Sequence, residues 1–477
     1  MRDQSEPSFL ETNEPSSPGK DSALTRRRFI GRSAVAGSAV AATGVLAACG
    51  SSSSKSSSSS ASSGTTPKVS GSGTSATGKQ LQSILGVPKN ILAKGPGTFK
   101  IAAQLALTGA GSVYGVTQGA GLAYGVQQVA EWTNGKLMFD VKYYDNQSGV
   151  PQAEAAAGRE AGLSSVPVLV SSYIFGFGAI LPFSAQYKMF TPDPGGGAGP
   201  IPGPFEGKPY CYGFRSGYPT DCFDGIVKYL TMKQPSKKKY ALLQPVIAPP
   251  YNDAVEAYTV KLFKQYGVDY VGQVLAPLGA TDYTSSIQKL KGLDPDVVLY
   301  SSFGTDIAYQ AKQAISAGAT WISAGVDFQN VLAKLGGSAL KGWYLGFDFL
   351  NTATPGNDWA KFFINEWKAD HKGAEPDYYN AGDYCTAFAV ATLIERILGA
   401  GGDITDGAQY VKQLDADSTF PHVYGGPGKT GEIVIDTTTH SPSSLEMLLF
   451  NPPANGAVSP VTPLATYNIK AADFKLV

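Results

Sequence analysis

The sequence predicts an α/β fold made of two lobes, each built around a parallel β-sheet. Residues 100–145 have the pattern strand, glycine-rich loop, helix, strand, which is a βαβ unit. A second series of alternating strands and helices begins near Thr220. The chain has 477 residues, which is more than a single hydrophobic core normally organises. Two lobes of the same α/β class are therefore expected.

The first βαβ unit is recognised from the positions of its apolar residues. Lys100 to Leu107 is a short apolar run that stops at turn-forming residues, as a buried strand does. From Gly115 onward the apolar residues recur at helical spacing, and residues 139–143 then alternate as a strand would. The loop after the first strand lies at its carboxyl end, where open α/β sheets bind ligands.

The first 48 residues have the features of a lipoprotein export signal. Residues 25–30 (TRRRFI) resemble a twin-arginine signal, and the mildly apolar run at 33–48 is too short and too weak for a good membrane span. Residues 46–49 (LAAC) resemble a bacterial lipobox, so cleavage before Cys49 and lipidation of its thiol are expected. The protein is then exported and held by acyl chains at the outer face of the cytoplasmic membrane.

Residues 49–97 are predicted to be the lipidated cysteine and a tether. Residues 51–78 are almost wholly Ser, Gly, Thr and Ala, a composition typical of a flexible coil. Such a coil would let a folded body move near the membrane while the lipid holds it there.

Helices and strands alternate through the rest of the chain. After the first unit we predict a helix at 152–163, an apolar strand at 166–170 and a short strand at 189–190. In the second series we predict helices at 220–232, 252–266, 283–291 and 305–317, and strands at 239–243, 269–275 and 297–300. Long amphipathic helices at 357–370 and 378–398 and a hairpin in the tail from Tyr424 complete the pattern.

Composition and motifs argue against several functional classes. Basic and acidic residues balance at 38 each, which removes the usual electrostatic basis for nucleic-acid binding. Gly109 and Gly111 begin a dinucleotide-binding pattern whose third glycine falls one place late, and residues 428–430 (GKT) copy only the end of a phosphate-binding loop. The three histidines are scattered, and the sequence has no HExxH, paired CxxC or GxSxG motif. We expect no metal, no cofactor and no catalysis, and a hydrolase on this scaffold is the least favoured alternative.

An ordered series of motifs resembles one known family. LTGAGSVYG at 107–115, the Ala/Gly-rich helix after it, the strand ending YYD at 143–145 and the helix beginning PQAEAA at 151 are similar to the leucine/isoleucine/valine-binding family of ABC-transporter substrate-binding proteins. The resemblance implies a type I periplasmic-binding-protein fold, with two Rossmann-like lobes joined by crossover strands. It implies a first lobe of residues 98–215 and 345–447 and a second lobe of residues 216–344 and 448–477.

The resemblance also implies a function. A protein of this family is not an enzyme: it closes two lobes on a small polar ligand and presents it to a membrane permease. A ligand-sensing surface lipoprotein that signals to a membrane partner is the alternative, because both use the same closure.

In the resembling family the ligand lies between the lobes, with its carboxylate held by the first lobe and its amino group by an acid of the second. Carried over to this chain, the resemblance implies a ligand site of Tyr114, Ser171, Ser172, Asp193, Gly195, Tyr251, Phe303, Asp327 and Tyr379. Asp327 is the expected partner of the amino group, and the loop of residues 191–196 supplies backbone amides. Each side chain also has a structural alternative: strand-end capping for the serines, a turn or helix cap for Asp327, and core packing for the aromatic residues.

One departure from the family bears on the ligand. Asp193 stands where the family has a small residue, and a carboxylate there would repel a ligand carboxylate in a low dielectric. The alternative is that Asp193 points outward from an Asp-Pro turn. Amino acids, amides, polyamines, peptides and aromatic acids therefore all stay open as ligands.

Three cysteines follow Cys49, so at most one internal disulfide can form. Cys211 and Cys222 flank the predicted crossover and are candidates to pair in an oxidising compartment. Three buried thiols, with Cys385 as the third, are the alternative.

Overall fold

The computed structural model describes residues 75–109, 111–172, 177–195, 206–215, 219–247 and 249–477. The predicted twin-arginine signal, Cys49 and the first part of the predicted tether lie outside these residues. Among the helices described, none has both the length and the apolar character needed to cross a membrane.

The first sheet forms as predicted from the opening βαβ unit. Its parallel strand order is β2-β1-β3, and an isolated bridge between Val168 and Phe190 leads to a further parallel pair, β4-β5. The strands are β1 (Gly97–Leu105), β2 (Leu137–Asp145), β3 (Leu169–Ser171), β4 (Thr191–Asp193) and β5 (Cys211–Gly213). Two helices precede β1, namely α1 (Ala76–Leu85) and α2 (Lys89–Lys94). The helices between the strands of this sheet are α3 (Ser112–Trp132), α4 (Pro151–Leu163) and α5 (Phe177–Tyr187).

The second α/β series builds a second parallel sheet. Its central order is β10-β9-β8-β6-β7, with β6 (Lys239–Pro245), β7 (Asp269–Ala276), β8 (Val297–Tyr300), β9 (Ile322–Gly325) and β10 (Tyr344–Phe347). Its helices are α6 (Pro219–Lys233), α7 (Pro249–Tyr266), α8 (Thr284–Leu293), α9 (Thr305–Ser316) and α10 (Asn330–Gly336), the last followed by a 3₁₀ turn at Gly337–Leu340. The α/β class predicted from the alternating pattern is confirmed.

Antiparallel strands extend this sheet at its β10 edge. They are β11 (Thr419–His422), β12 (Gly431–Asp436), β13 (Ser441–Asn451), β14 (Thr462–Asn468) and β15 (Lys475–Leu476). The strand β13 pairs with β12 through its first half and with β10 and β14 through its second half. The β12-β13 pair is the hairpin predicted in the tail, whereas the residue bounds of the two lobes stay a prediction.

Three helices lie between β10 and β11 in the sequence, namely α11 (Asp358–Asp370), α12 (Tyr378–Gly399) and α13 (Gly407–Ala416). A capping box begins α12, because the Asp377 carboxylate accepts from the backbone of the first turn and the Asn380 side chain accepts from the Asp377 backbone N–H at 2.7 Å. The cap fixes where Tyr378 and Tyr379 point.

The predicted tether is too long at its carboxyl end. Residues 76–94 form α1 and α2, in which Leu81 and Ile91 are fully buried. The Glu395 carboxylate of α12 accepts from the backbone N–H groups of Asn90 (2.8 Å) and Ile91 (2.7 Å) at the start of α2. A carboxylate at a helix N-terminus is stabilising, and these contacts dock the segment onto the folded body.

The possible disulfide between Cys211 and Cys222 is not formed. Both residues and Cys385 are buried free thiols. Cys211 lies near the hydroxyls of Ser184 and Thr191, and burial raises its thiol pKa to about 12. Cys222 lies instead in α6, where its carbonyl accepts from Tyr467 at 3.1 Å.

Glu154, in α4, predicts a pH-dependent stability. It is fully buried, and within the described part of the chain neither carboxylate oxygen has a hydrogen-bond partner. Burial raises its pKa to about 8. Between the unfolded value near 4.3 and this folded value the folded state holds a proton that the unfolded state has released, so the free energy of unfolding falls as pH rises. We expect Glu154→Gln to remove that fall, on the order of a few kcal/mol between pH 5 and 9.

Urea unfolding of wild type and variant at pH 5, 7 and 9 measures this effect. Glu160→Gln on the same helix is the control, because the Glu160 side chain is 57% exposed. Parallel pH profiles for wild type and Glu154→Gln would contradict the prediction.

Candidate functional site

Asp327 follows β9 and is the centre of a hydrogen-bond network at the carboxyl ends of the strands. Its Oδ2 accepts from the Tyr114 hydroxyl at 3.0 Å and from the Gly304 backbone N–H at 2.5 Å. Gln329 Nε2 and the Tyr378 hydroxyl also donate to this carboxylate. With 2% of its surface exposed, Asp327 is buried among these donors.

This network joins loops that follow strands of both sheets. Tyr114 lies in the first turn of α3, after β1, whereas Gly304 follows β8. Gly304 has φ +52°, and a Cβ there would lie 2.6 Å from the Tyr114 hydroxyl. Glycine is therefore required where the two loops meet.

Burial raises the pKa of Asp327, and the donors around it oppose the rise. Each donor favours the ionised carboxylate by hydrogen bonding to it. Asp327 is thus a buried carboxylate at the strand ends, as expected. Its oxygens, however, already accept hydrogen bonds from the protein's own donors.

Arg215 and Asp348 form a buried ion pair beside this network. Arg215 Nε and Nη2 donate to the two Asp348 oxygens at 2.5 and 2.8 Å. The exposed fractions of the two side chains are 2% and 0%. The guanidinium lies 4.5 Å from the ring centroids of both Tyr378 and Tyr379, which is within cation–π distance.

The predicted serines lie at the end of β3 and are fully buried. The Ser172 hydroxyl donates to Gln118 Oε1 of α3, so Ser172 links the end of β3 to that helix. The Ser171 hydroxyl has no hydrogen-bond partner among the residues that the structure describes. Of the two, Ser171 is the one with bonding capacity left for a ligand.

The loop after β4 contains the predicted Asp193 and Gly195. Asp193 is fully buried, and its Oδ1 accepts from the Gly195 N–H at 2.8 Å. Asp193 therefore does not point outward from its Asp-Pro turn. Because its N–H is used in this contact, Gly195 contributes to the loop's shape.

The aromatic residues of the predicted site occupy different surroundings. Tyr379 packs edge-on against Tyr114, with ring centroids 5.0 Å apart. Tyr251 lies in the first turn of α7, and Phe303 lies in the loop between β8 and α9. Both are partly buried and pack against the core. Their roles toward a ligand stay predictions.

Sequence reasoning missed Arg215, Asp348, Asp377, Tyr378 and Asp383 as parts of this centre. All five are at most 4% exposed. A signal was present for two of them, because Arg215 and Asp348 each follow an apolar run in GFR and LGFD. A charged residue directly after a buried strand is rarely left unpaired.

Comparison with known protein families matches one family, described as periplasmic binding protein, over residues 98–445. The match covers most of the chain. The chain belongs to the periplasmic binding protein family. The family resemblance seen in the motif series is thereby confirmed. A comparison with curated proteins finds no match.

Solved structures of periplasmic binding proteins share the fold. A leucine-binding protein from Thermotoga maritima superposes with a TM-score of 0.64 at 20% identity, covering 77% of this chain and 98% of that one. A solute-binding protein from R. palustris in complex with 4-hydroxybenzoate gives 0.64 at 19% identity, covering 78% and 98%.

A branched-chain amino acid transporter substrate-binding protein from Streptococcus pneumoniae, in complex with isoleucine, gives 0.63 at 17% identity, covering 77% and 99%. The type I periplasmic-binding-protein fold is thus established for this chain. At such identities the likeness concerns the fold alone.

Proposed function

We propose that this chain is an extracytoplasmic solute-binding lipoprotein of an ABC importer, which closes two lobes on an amino acid or a related small polar compound. The observation that carries the proposal is the contact of Asp327 with Tyr114 and Gly304. It joins loops from the carboxyl ends of strands in two sheets, the region where α/β folds bind ligands.

Closure is proposed to work through differential affinity. The ligand binds the closed arrangement more tightly than the open one, and so shifts the equilibrium toward it without covalent chemistry. The Tyr114–Asp327 contact would be made on closing and broken on opening. Chain segments that cross between the lobes, such as β13, would act as hinges.

Small carboxylates are the ligand class that the structural neighbours favour. Those neighbours are a leucine-binding protein and two proteins in complex with isoleucine and with 4-hydroxybenzoate. Amino acids and aromatic acids share a carboxylate on a compact body. Both groups therefore belong in the first ligand panel.

Thermal unfolding of the full chain against that panel tests the proposal. A ligand at one hundred times its Kd adds about 2.7 kcal/mol to the stability of the folded state and raises Tm. Asp327→Asn should weaken binding by roughly tenfold to a hundredfold, because the closed form loses hydrogen bonds to a charged acceptor.

Asp294→Asn is the matched control, since the Asp294 side chain is 88% exposed. If neither amino acids nor aromatic acids raise Tm, the proposed function fails.

The proposed partners are a membrane permease and the lipid on Cys49, and no enzymatic role is proposed. Uptake of the identified ligand by cells that lack the protein separates transport from sensing. Loss of uptake supports the importer, whereas normal uptake with a lost response supports a sensor.

A further inference from the structure

Two adjoining cavities lie beside β13, at the point where this strand passes from its pairing with β12 to its pairing with β10. The first cavity has a volume of about 290 Å³ and the second a volume of about 340 Å³. Both are lined by Gly425, Gly426, Pro427, Glu446 and Thr466. Because they meet at these residues, the two cavities together have the size that a small organic molecule fills.

The first cavity is largely apolar. Phe349 and Leu350, in the loop after β10, line it together with Val423 and Leu448. Among its described lining residues, Glu446 has the only charged side chain. Water in such a cavity finds few hydrogen-bond partners, so an apolar group is favoured there over water. The part of a ligand that occupies this cavity is therefore apolar.

The second cavity is acidic. Its lining includes the carboxylates of Glu432, Glu446 and Asp473 and one ammonium, that of Lys475. An excess of negative charge in a confined site raises the local concentration of cations. Within the part of the chain that the structure describes, no three His, Cys, Asp or Glu residues are placed to hold a metal ion. The charge of this cavity therefore favours an organic cation.

The register of β13 with β14 places Glu446 on the face of the sheet that borders both cavities. Leu448 lies opposite Thr466, and successive side chains of a strand point to opposite faces, so Glu446 shares one face with both. The loop after β11 covers this face, and a Cβ added at Gly426 would lie 3.8 Å from Glu446 Oε2. A carboxylate, a hydroxyl and an aliphatic side chain thus lie side by side under that loop.

The Glu446 carboxylate is available to a ligand. Its side chain is partly buried, and among the described residues it accepts no hydrogen bond and forms no ion pair. Burial raises its pKa above the usual value, and the positive charge of Lys475 opposes that rise. A partly desolvated carboxylate without a direct donor is stabilised by a cation that donates to it.

We propose that these cavities form a second binding site, which takes a primary ammonium ion with a compact apolar body. The ammonium donates to Glu446, and the Thr466 hydroxyl is a second acceptor for it. The apolar body fills the first cavity against Phe349 and Leu448. Recognition therefore needs both parts of the ligand, the charge and the apolar body.

This site is separate from the hydrogen-bond network of Asp327. Among the described residues that line the two cavities, none is Tyr114, Gly304 or Asp327. The site goes beyond the proposed function and does not depend on it, because an ammonium ion binds here whether or not an amino acid binds at the carboxyl ends of the strands.

Calorimetric titration of the full chain with three probes tests the site. Cyclohexylmethylammonium has the charge and an apolar body, cyclohexylmethanol has only the body, and methylammonium has only the charge. We expect cyclohexylmethylammonium to bind, and each of the other two to bind at least about tenfold more weakly, because each lacks one of the two contributions.

Two variants locate the bound probe. Glu446→Gln removes the charge but keeps the shape, and should weaken the binding of cyclohexylmethylammonium at least about tenfold. Gly426→Leu fills the space beside the carboxylate and should weaken binding by a similar factor. Gly426 accepts a side chain, because its φ lies outside the left-handed region and the added Cβ would have only Glu446 Oε2 within 4 Å. Gly425 has φ +110° and is kept as glycine.

Glu432→Gln is the matched control, since Glu432 is an exposed acid that lines the second cavity alone. It should change the Kd by less than about threefold, because exposed charges contribute little. Circular dichroism establishes that all three variants are folded.

Several results would overturn the inference. One is that wild type does not bind cyclohexylmethylammonium, or binds cyclohexylmethanol or methylammonium as tightly. Another is that Glu446→Gln or Gly426→Leu binds cyclohexylmethylammonium as well as wild type does. Equal weakening by Glu432→Gln and Glu446→Gln would mean that the acidic rim as a whole, and no contact with Glu446, attracts the probe. The proposed function is decided separately, by the panel of amino acids and aromatic acids.

Discussion

Replacing Arg215 with methionine is expected to lower the free energy of unfolding by about 3–5 kcal/mol, because it leaves the Asp348 carboxylate buried without its counter-charge. Asp348 is fully buried, and both its oxygens accept from Arg215. Even with that partner, burial raises the pKa of Asp348 to about 6. Without it the carboxylate must take up a proton or draw in water, and the Tyr378 and Tyr379 rings lose the cation that lies 4.5 Å from their centroids.

Urea unfolding at pH 7 without ligand measures the effect. The double variant Arg215→Met with Asp348→Leu should recover much of the loss, since removing both charges removes the desolvation cost. Lys239→Ala is the control, because the Lys239–Asp294 ion pair has side chains 41% and 88% exposed and should change stability by less than about 1 kcal/mol. If Arg215→Met costs no more than Lys239→Ala, the buried pair does not stabilise the fold.

The sequence was most informative where a pattern depends on neighbours along the chain. The helices predicted at 252–266 and 378–398 are found at Pro249–Tyr266 and Tyr378–Gly399, and the strand at 297–300 is found at the same residues. Apolar periodicity reports burial directly, so these elements needed no knowledge of tertiary contacts.

The sequence was less informative about segments whose structure depends on contacts with residues far away in the chain. The serine-rich composition before residue 79 predicts a tether that extends to residue 97, yet Ala76–Leu85 and Lys89–Lys94 fold as α1 and α2. The start of α2 is held by the Glu395 carboxylate, about three hundred residues away in the sequence. No local pattern reveals such a partner.

Some residues of the candidate site could be predicted from the sequence, and others could be found only from the structure. The family resemblance implies Tyr114 and Asp327 as site residues, and in the structure the Tyr114 hydroxyl lies 3.0 Å from the Asp327 carboxylate. Asp383 was missed, because one acid within an apolar helix shows no sign of being buried until the elements packed around it are known. The partners of a buried charge are a property of the tertiary structure.

Gly121→Ala is expected to have the second large effect, lowering the free energy of unfolding by about 2–3 kcal/mol through overpacking. Gly121 lies in α3 where α12 crosses it, and an added Cβ would lie 2.2 Å from the Asn380 carbonyl oxygen and 2.6 Å from its Cα. Backbone atoms cannot rotate away as a side-chain tip can, so one helix must move.

The movement would reach the candidate site. Asn380 belongs to the capping box of α12, and its Nδ2 donates to the Thr117 carbonyl of α3 at 2.7 Å. Displacing this turn displaces Tyr378, which donates to Asp327. We therefore expect Gly121→Ala to weaken ligand binding in calorimetry as well as stability in urea.

Gly292→Ala provides the matched control for the same chemical change. Gly292 is an exposed residue near the end of α8, and an added Cβ would meet nothing within 4 Å. Alanine there should raise the free energy of unfolding by about 0.5–1 kcal/mol through helix propensity. If Gly121→Ala lowers the free energy of unfolding and Gly292→Ala raises it, the close approach of α3 and α12 causes the loss of stability, and glycine's helix propensity does not. Equal signs would mean that the two helices can separate freely, and that the tyrosines at the start of α12 are not held in place by α3.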